Sequence, residues 1–425
     1  MLDIRFIRDN PEVVRKAIKA KKFDVDLDRL LELDAERRRI LHASEALRTE
    51  RNALSQSVRK ASPEERAALT EKSREVGKQL KSHEKELPPI VEELEQLMLR
   101  IPGIPAPEVP EGDSEEDNEV IRHWGEPRQF DFEPRDHVEL CRMHGLVDFE
   151  RPPRFAGSRA YALKGDGVLL EQALLRYALD IVIADGFTAV SPPVLVREEA
   201  MVGTGFFPLG HDDTYRTARG PLFLVGTSEV SLVSLHADEI LDVEELPIRY
   251  AGLSPCFRRE AGAAGRDTHG LYRVHQFMKV EQVIICENDE EMSLREHMRL
   301  LGNSERVLQG LKLPHRVALA CTMELGLGQV RKHEVETWMP SREAYCETHS
   351  CSTLLEFQSR RSKIRYRPTS DSKPQFVHTL NNTALASPRI LIPVLEHYQN
   401  ADGSITIPEV LRPYMGGREL LTPKA

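Results

Sequence analysis

Residues 257–277 read FRREAGAAGRDTHGLYRVHQF, a concentration of side chains that bind or orient charge. Arg258, Arg259 and Glu260 crowd its start, and a loop of Gly and small residues (261–267) follows. Thr268, His269 and Gly270 come next, then Arg273 and His275, then an apolar run at 280–285 that reads as a strand. Strand, flexible loop and strand, with guanidinium groups at both ends, suit an anionic and planar ligand. The fork of arginine matches phosphate oxygens in pairs, and its flat face stacks on aromatic rings. A solvated hairpin with a polar tip would carry the same residue types, because glycine-rich loops are common. These residues alone leave both readings open.

The elements that would position such a site need a large chain. At 425 residues, 40% hydrophobic and 30% charged, the sequence is expected to form two or three domains. Its net charge of −10 argues against a non-specific nucleic-acid binder, so any nucleic-acid contact must come from local patches. The six cysteines have neither CxxC nor Cys/His ligand spacing, so neither a zinc site nor a disulfide framework is expected. The first residues, MLDIRFIRDNPEVV, do not resemble a signal peptide, and no apolar run approaches the ~20 residues a bilayer needs. The expectation is a soluble, cytosolic protein.

Residues 1–101 are predicted to be helical almost throughout. Asn10-Pro11 marks one helix start. Leu33, Ile40, Leu47 and Leu54 recur every seven residues, and after Ser62-Pro63-Glu64-Glu65 a second series begins with Leu69, Val76, Ile90 and Leu97. Two long helices and one tight turn make an antiparallel coiled-coil hairpin projecting on the order of 50 Å. Pro88-Pro89 predict a kink or break in its second helix. Residues 102–120, rich in Pro and then acidic, read as an extended or mobile linker. From 121 to 425 the pattern is α+β. A short strand is expected at 157–163, a helix at 169–185, and a strand running from 187 into Pro192-Pro193. Further strands are expected at 222–225, 248–253, 280–285, 317–320 and 335–338, with a helix at 290–311. Irregular strand spacing implies an antiparallel-dominated sheet flanked by helices. No P-loop or strand-linked GxGxxG occurs.

The hairpin, GTSE (226–229), FRREAGAAGRDTHGLYRVHQFMKVE, ETHSCS (347–352), TLNNTALASPR (379–389) and IPEVLRPYMGG together resemble the bacterial seryl-tRNA synthetases, over essentially the whole chain. The resemblance implies a class II synthetase sheet and a homodimer with Pro193 at the interface. It implies a serine–tRNA ligase that makes seryl-adenylate from L-serine and ATP, then charges serine tRNA, with selenocysteine tRNA a further substrate. By resemblance, Arg258 binds the α-phosphate and the serine carboxylate, Glu260 the adenine side and Arg273 the terminal phosphates. Arg259, Thr348, His349 and Arg389 complete the ATP site, with Arg258 and Arg389 catalytic. Glu347 and Ser350 hold magnesium. Thr227, Ser228, Glu229, Glu281 and Thr383 form the serine pocket with Arg258. Arg48, Arg51, Arg59 and Lys60, towards the tip of the arm, contact tRNA phosphates.

The sequence departs from that pattern at His269, Met323, Glu324, Cys346 and Pro88-Pro89. His269 and Cys346 stand where arginines are expected, so two cations near the triphosphate are missing. These departures motivate two alternatives. One is a paralogue serving secondary metabolism or antibiotic self-resistance; the other is a catalytically weakened, tRNA-binding regulatory homologue.

Overall fold

The computed structural model describes residues 1–263 and 269–424. Contacts divide the chain into two compact units, residues 2–101 and a second comprising Met1 with 102–425.

In the first unit, helices α1 (Ile4–Asp9) and α2 (Pro11–Ala20) precede the two arms, α3 (Leu27–Lys60) and α4 (Pro63–Met98). The Asp26 carboxylate caps α3 by accepting from Arg29 N. At the tip, Ser62 and Glu65 form a reciprocal capping box with Pro63 in the first turn, so the reversal takes only Ala61 and Ser62. Leu54, Val76 and Leu80 are buried along the seam. Polar ties cross it as well: Arg29 grips Glu93 with two bonds of 2.8 Å, and Ser44 meets His83 at 3.0 Å.

The expected break at Pro88-Pro89 is absent, and α4 is helical without interruption from Pro63 to Met98. Both prolines are exposed, as are Glu84 and Lys85. The carbonyls that lose their helical donors therefore face water, and packing along the seam lets the helix continue past the prolines.

The second unit is built on one eight-stranded sheet. Its strands are β1 (Glu119–Trp124), β2 (Thr188–Val190), β3 (Ile248–Phe257), β4 (Gln276–Cys286), β5 (His315–Leu319), β6 (Arg331–Met339), β7 (Ala344–Leu355) and β8 (His378–Ser387). Their order is β1-β5-β6-β7-β8-β4-β3-β2, antiparallel except for the edge pair β2–β3. The polar strands β7 and β8 occupy the centre. Buried groups on α8 meet part of their polar surface: Asn382 Nδ2 donates to Leu300 O at 2.6 Å and to Ser304 Oγ at 2.7 Å. Helices α5 (His137–His144), α6 (Asp166–Ala184), α7 (Glu229–Ser234), α8 (Glu290–Gly310), α9 (Phe357–Ser362) and α10 (Leu391–His397) flank the sheet. Leu174 and Ala178 of α6 and Leu300, Leu301 and Leu308 of α8 share one core with Val317, Val335, Leu380 and Leu395.

Two expectations change here. The segment after 101 is docked, not mobile: Gly103 N donates to Leu327 O at 2.8 Å, Ala106 N to Val330 O at 2.8 Å, and Pro110 O accepts from Thr322 N at 2.9 Å. Its backbone groups find partners in the turns around β6, which its acidic composition did not disclose. The strand expected at 157–163 contracts to Ala162–Leu163, because Pro153–Ala156 takes a helical turn and Gly157 follows at φ +87°.

Replacing Pro88 and Pro89 together by Ala restores two donors to an exposed helix interior, where proline costs about 3 kcal/mol relative to alanine. Amide exchange over 84–92 is expected to slow in that variant; unchanged exchange would show that the prolines leave the arm unweakened.

Candidate active site

The β3–β4 hairpin sets the site. Phe257 pairs with Gln276 and Gly252 with Glu281, so residues 258–275 leave and re-enter the sheet at its mouth. Arg258 N donates to His275 O and His275 Nδ1 to Arg258 O, both at 2.9 Å. The first and last parts of the stretch thus meet. Residues 264–268, most of the small-residue loop, lie outside the described residues. Gly270 has φ +69°, and a Cβ there would stand 2.0 Å from His137 Nε2, so only glycine lets the chain pass.

A cavity of about 180 Å³ opens beside this hairpin. Its lining includes Arg258, Glu260, Arg273, Lys279, Glu347, Thr348, His349, Ser350, Thr383 and Arg389. Four of its side chains are cationic and two are carboxylates, a balance that favours an anionic ligand. Each cation is held. Arg273 donates to Glu260 at 2.8 Å. Glu260 itself sits at φ +54°, a conformation that costs a non-glycine residue of order 1 kcal/mol and is typical of functional sites. Arg258 donates to Gly226 O at 3.3 Å and lies 5.3 Å from the Phe277 ring centre. Arg389 donates to Glu347 O at 3.0 Å and lies 4.5 Å from the Tyr272 ring centre. Burial alone would raise the Glu347 carboxyl, but Arg389, Lys332 and Arg258 outweigh it and hold it below the ordinary value. Burial drives His349 down to about 3, so it is neutral.

At the base, Glu281 and Thr383 occupy one rung of the β4–β8 pair, and the Thr383 hydroxyl donates to Glu281 at 3.5 Å. Lys279, on the same strand, forms an ion pair with Glu281 and donates to Thr227 Oγ1 at 2.7 Å. Lys279 carries no role in the sequence reading. Its signal was present: Lys279 and Glu281 are two apart in an apolar strand, hence on one face. Glu229 is buried beyond them and accepts from Gln358 Nε2 at 2.7 Å.

The expected residues do not all line the cavity. Ser228 is fully buried against Gly252, where a Cβ would come within 2.6 Å of its hydroxyl. Thr227, Glu229 and Glu281 stand behind Lys279 and Thr383. Arg259 is exposed and outside the lining, its backbone N bonded to Asp213 O at 3.0 Å. His269 meets the Asp136 carboxylate at 3.2 Å. Met323 and Glu324 belong to a short turn outside the lining, where Glu324 lies 4.0 Å from Lys332. Cys346 is half-buried against the core, with its thiol raised by burial. Arg48, Arg51, Arg59 and Lys60 are all exposed on α3, and Pro193 is exposed beyond β2.

A central antiparallel sheet with an arginine-bearing hairpin, and a second arginine where β8 runs into a helix, defines a class II aminoacyl-tRNA synthetase. The description "tRNA synthetase class II core domain (G, H, P, S and T)" matches residues 215–398, and "Seryl-tRNA synthetase N-terminal domain" matches 1–105. The serine–tRNA ligase of Deinococcus radiodurans is 49% identical over 99% of both chains, and that of Thermomicrobium roseum 44% identical over 99% of this chain and 94% of its own. The seryl-tRNA synthetase of Pyrococcus horikoshii, solved with ATP, superposes with a TM-score of 0.95 at 38% identity over 100% of both chains. The chain therefore belongs to the seryl-tRNA synthetase family, the ATP-dependent serine–tRNA ligases. Neither the paralogue reading nor the weakened-homologue reading gains support from these relatives.

Burial and the neighbouring Glu281 push Glu229 up to about 7 from 4.5. A raised carboxyl binds its proton more tightly in the folded state. The associated stability is complete below pH 4.5, is lost as pH rises to about 7, and stays lost above that. Glu229→Gln removes this loss, with an upper bound of about 3 kcal/mol. Denaturant midpoints at about pH 5 and pH 8 should converge in the variant relative to the parent; an unaltered difference would count against it.

Proposed function

We propose that the cavity holds ATP with its α-phosphate at Arg258 and its terminal phosphates at Arg273, with serine seated over Thr383 and Glu281. What supports this reading is the convergence of Arg258, Arg273, Arg389 and Glu347 on one cavity whose base is the Lys279–Glu281–Thr383 group. Attack of the serine carboxylate on the α-phosphate brings two anions together. The chain's task is to align them and to offset charge, and no side-chain nucleophile is required. Arg258 neutralises the carboxylate and the α-phosphate, and Arg389 steadies the nucleotide. Pyrophosphate leaves, and the terminal hydroxyl of tRNA then attacks the acyl carbon and releases AMP.

Glu281 faces the serine ammonium in this scheme, and Thr383 and Thr227 order the polar groups around its hydroxyl. A ligand without that hydroxyl would leave buried polar atoms unpaired, which disfavours alanine. Glu229 supports Gln358 and Lys279 from behind.

Among the described residues no group of three or more His, Cys, Asp or Glu could hold a metal. Glu347 and Ser350 nonetheless suit magnesium. Both are hard oxygen donors on the cavity wall, Arg389 and Lys332 keep the carboxylate ionised, and magnesium commonly takes one or two protein oxygens with phosphate and water completing its shell. A bound magnesium ion would offset triphosphate charge.

Residues 1–101 form the tRNA-binding unit in this reading, with 102–120 joining it to a catalytic unit of residues 121–425. Arg48, Arg51, Arg59 and Lys60 meet tRNA phosphates without reading bases, a task for dispersed exposed cations. Pro193 belongs to the contact between two copies, and selenocysteine tRNA would be charged where it is present. Among the described residues no helix is long and apolar enough to cross a membrane, which accords with action in the cytosol.

Serine-dependent exchange of pyrophosphate into ATP, followed by charging of serine tRNA, tests the scheme; no exchange with saturating serine and magnesium would end it. Arg258→Ala should slow exchange by about a hundredfold. Glu281→Ala should raise the serine requirement by at least about tenfold while leaving that for ATP nearly unchanged, and an unaltered serine KM would remove Glu281 from the pocket.

A further inference from the structure

Tyr272 lines the cavity and carries two guanidinium groups on its ring. Arg389 lies 4.5 Å from the ring centre and Arg342 lies 4.0 Å from it. The reading above uses Arg389 and leaves Arg342 without a role. We propose that Arg342 is a further phosphate-binding residue of this site, contacting the terminal phosphates of ATP and the pyrophosphate that departs. The proposal rests on the adenylate scheme of the preceding section.

The position of Arg342 is built. It ends the turn Pro340–Arg342, where Ser341 donates to the Glu396 carboxylate through N at 2.9 Å and Oγ at 2.7 Å. Glu396 is fully buried, and it also accepts from His137 N at 3.0 Å and pairs with His137 Nδ1 at 3.1 Å. His137 Nε2 in turn accepts from Leu271 N at 3.2 Å, directly before Tyr272. One buried carboxylate thereby fixes both the turn that offers Arg342 and the backbone that offers Tyr272.

The charges point the same way. Burial pushes Tyr272 up to about 12, so the ring is neutral and provides a flat surface, not a counter-charge. Two guanidinium groups sharing one neutral ring repel each other, and a polyphosphate reaching both relieves that repulsion. Contacts link Glu347 through Arg389 and Tyr272 to Arg342, which is exposed and lies outside the cavity lining. Arg342 therefore reaches the site by way of the Tyr272 ring, and a phosphate chain extending past Arg389 would meet it there.

Cys346 gives the arrangement a reason. Its thiol lies beside Tyr272 and Arg342 and, with burial raising its pKa, contributes no charge where the resemblance leads one to expect an arginine. Arg342, four residues earlier in the chain, brings a cation to the same ring from the adjacent turn.

The test uses full-length Arg342→Ala and Arg342→Lys proteins in serine-dependent pyrophosphate exchange, with Arg258→Ala as reference. Arg342→Ala should raise the KM values of ATP and pyrophosphate about tenfold while serine KM stays within about twofold, and Arg342→Lys should recover much of the loss. An unchanged ATP KM overturns the proposal. So does a parallel rise in ATP and serine KM accompanied by a lower melting temperature, which would mark Arg342 as packing only. If Arg342→Ala does not fold, Arg342→Gln keeps the stem on the ring without the charge and is read by the same criteria. Loss of exchange in Arg258→Ala with Arg342→Ala unaffected would remove only Arg342. Full exchange in Arg258→Ala would remove the adenylate scheme itself.

Discussion

Like charges must be held close together before any ligand arrives: Arg258, Arg273, Lys279 and Arg389 line one small cavity. Left alone they would splay into solvent. Each is tethered by neighbouring groups of the chain. Arg273 has Glu260, Lys279 has Glu281 and Thr227, Arg389 has Glu347 and the Tyr272 ring, and Arg258 has a carbonyl and the Phe277 ring. A site so arranged holds its cations in place before any anion arrives, which is where most of the benefit of a preorganised electrostatic site lies.

The tethers depend on the sheet. Thr383 and Glu347 line the cavity from the neighbouring strands β8 and β7, and the antiparallel register of β4 against β8 sets Glu281 beside Thr383. A slip of one residue in β8 would turn Thr383 away and bury a different set. The core beneath, shared by α6, α8 and the sheet, specifies that register because β4 and β8 are buried along nearly their whole length. Asn382 Nδ2 joins β8 to two groups on α8, and Ser304 Oγ of α8 donates to Thr383 O at 2.7 Å. Packing and site geometry therefore rest on the same strands.

Much of this was legible in residue order. Heptad spacing and the Ser62–Glu65 signal located both arms, since helix periodicity and caps are local properties. The charged stretch at 257–277 left an anion site and a solvated hairpin both open, and the structure brings its Arg258, Glu260 and Arg273 to one cavity. What misled was also local. Pro88-Pro89 implied a break that solvated carbonyls and a distant seam avoid, and the acidic run after 102 implied mobility although its backbone finds partners around β6. Polar strands such as 378–387 have no alternating pattern to betray them, because their partners come from elsewhere in the chain.

By itself the sequence determined the helical arms and the order of the chemistry-bearing segments, for these depend on residue type and short-range spacing, while Glu347 and Arg389 were singled out through the resemblance to a known family. Only the tertiary structure decided which of those groups share a wall. It put Lys279 between Glu281 and Thr227, set Ser228 beneath Gly252, left Arg259 outside, and brought Arg342 onto the ring that Arg389 also covers. Those outcomes follow from strand register and from one buried carboxylate, Glu396, joining residues more than a hundred positions apart. Contacts of that range are fixed by packing, and spacing along the chain carries no record of them.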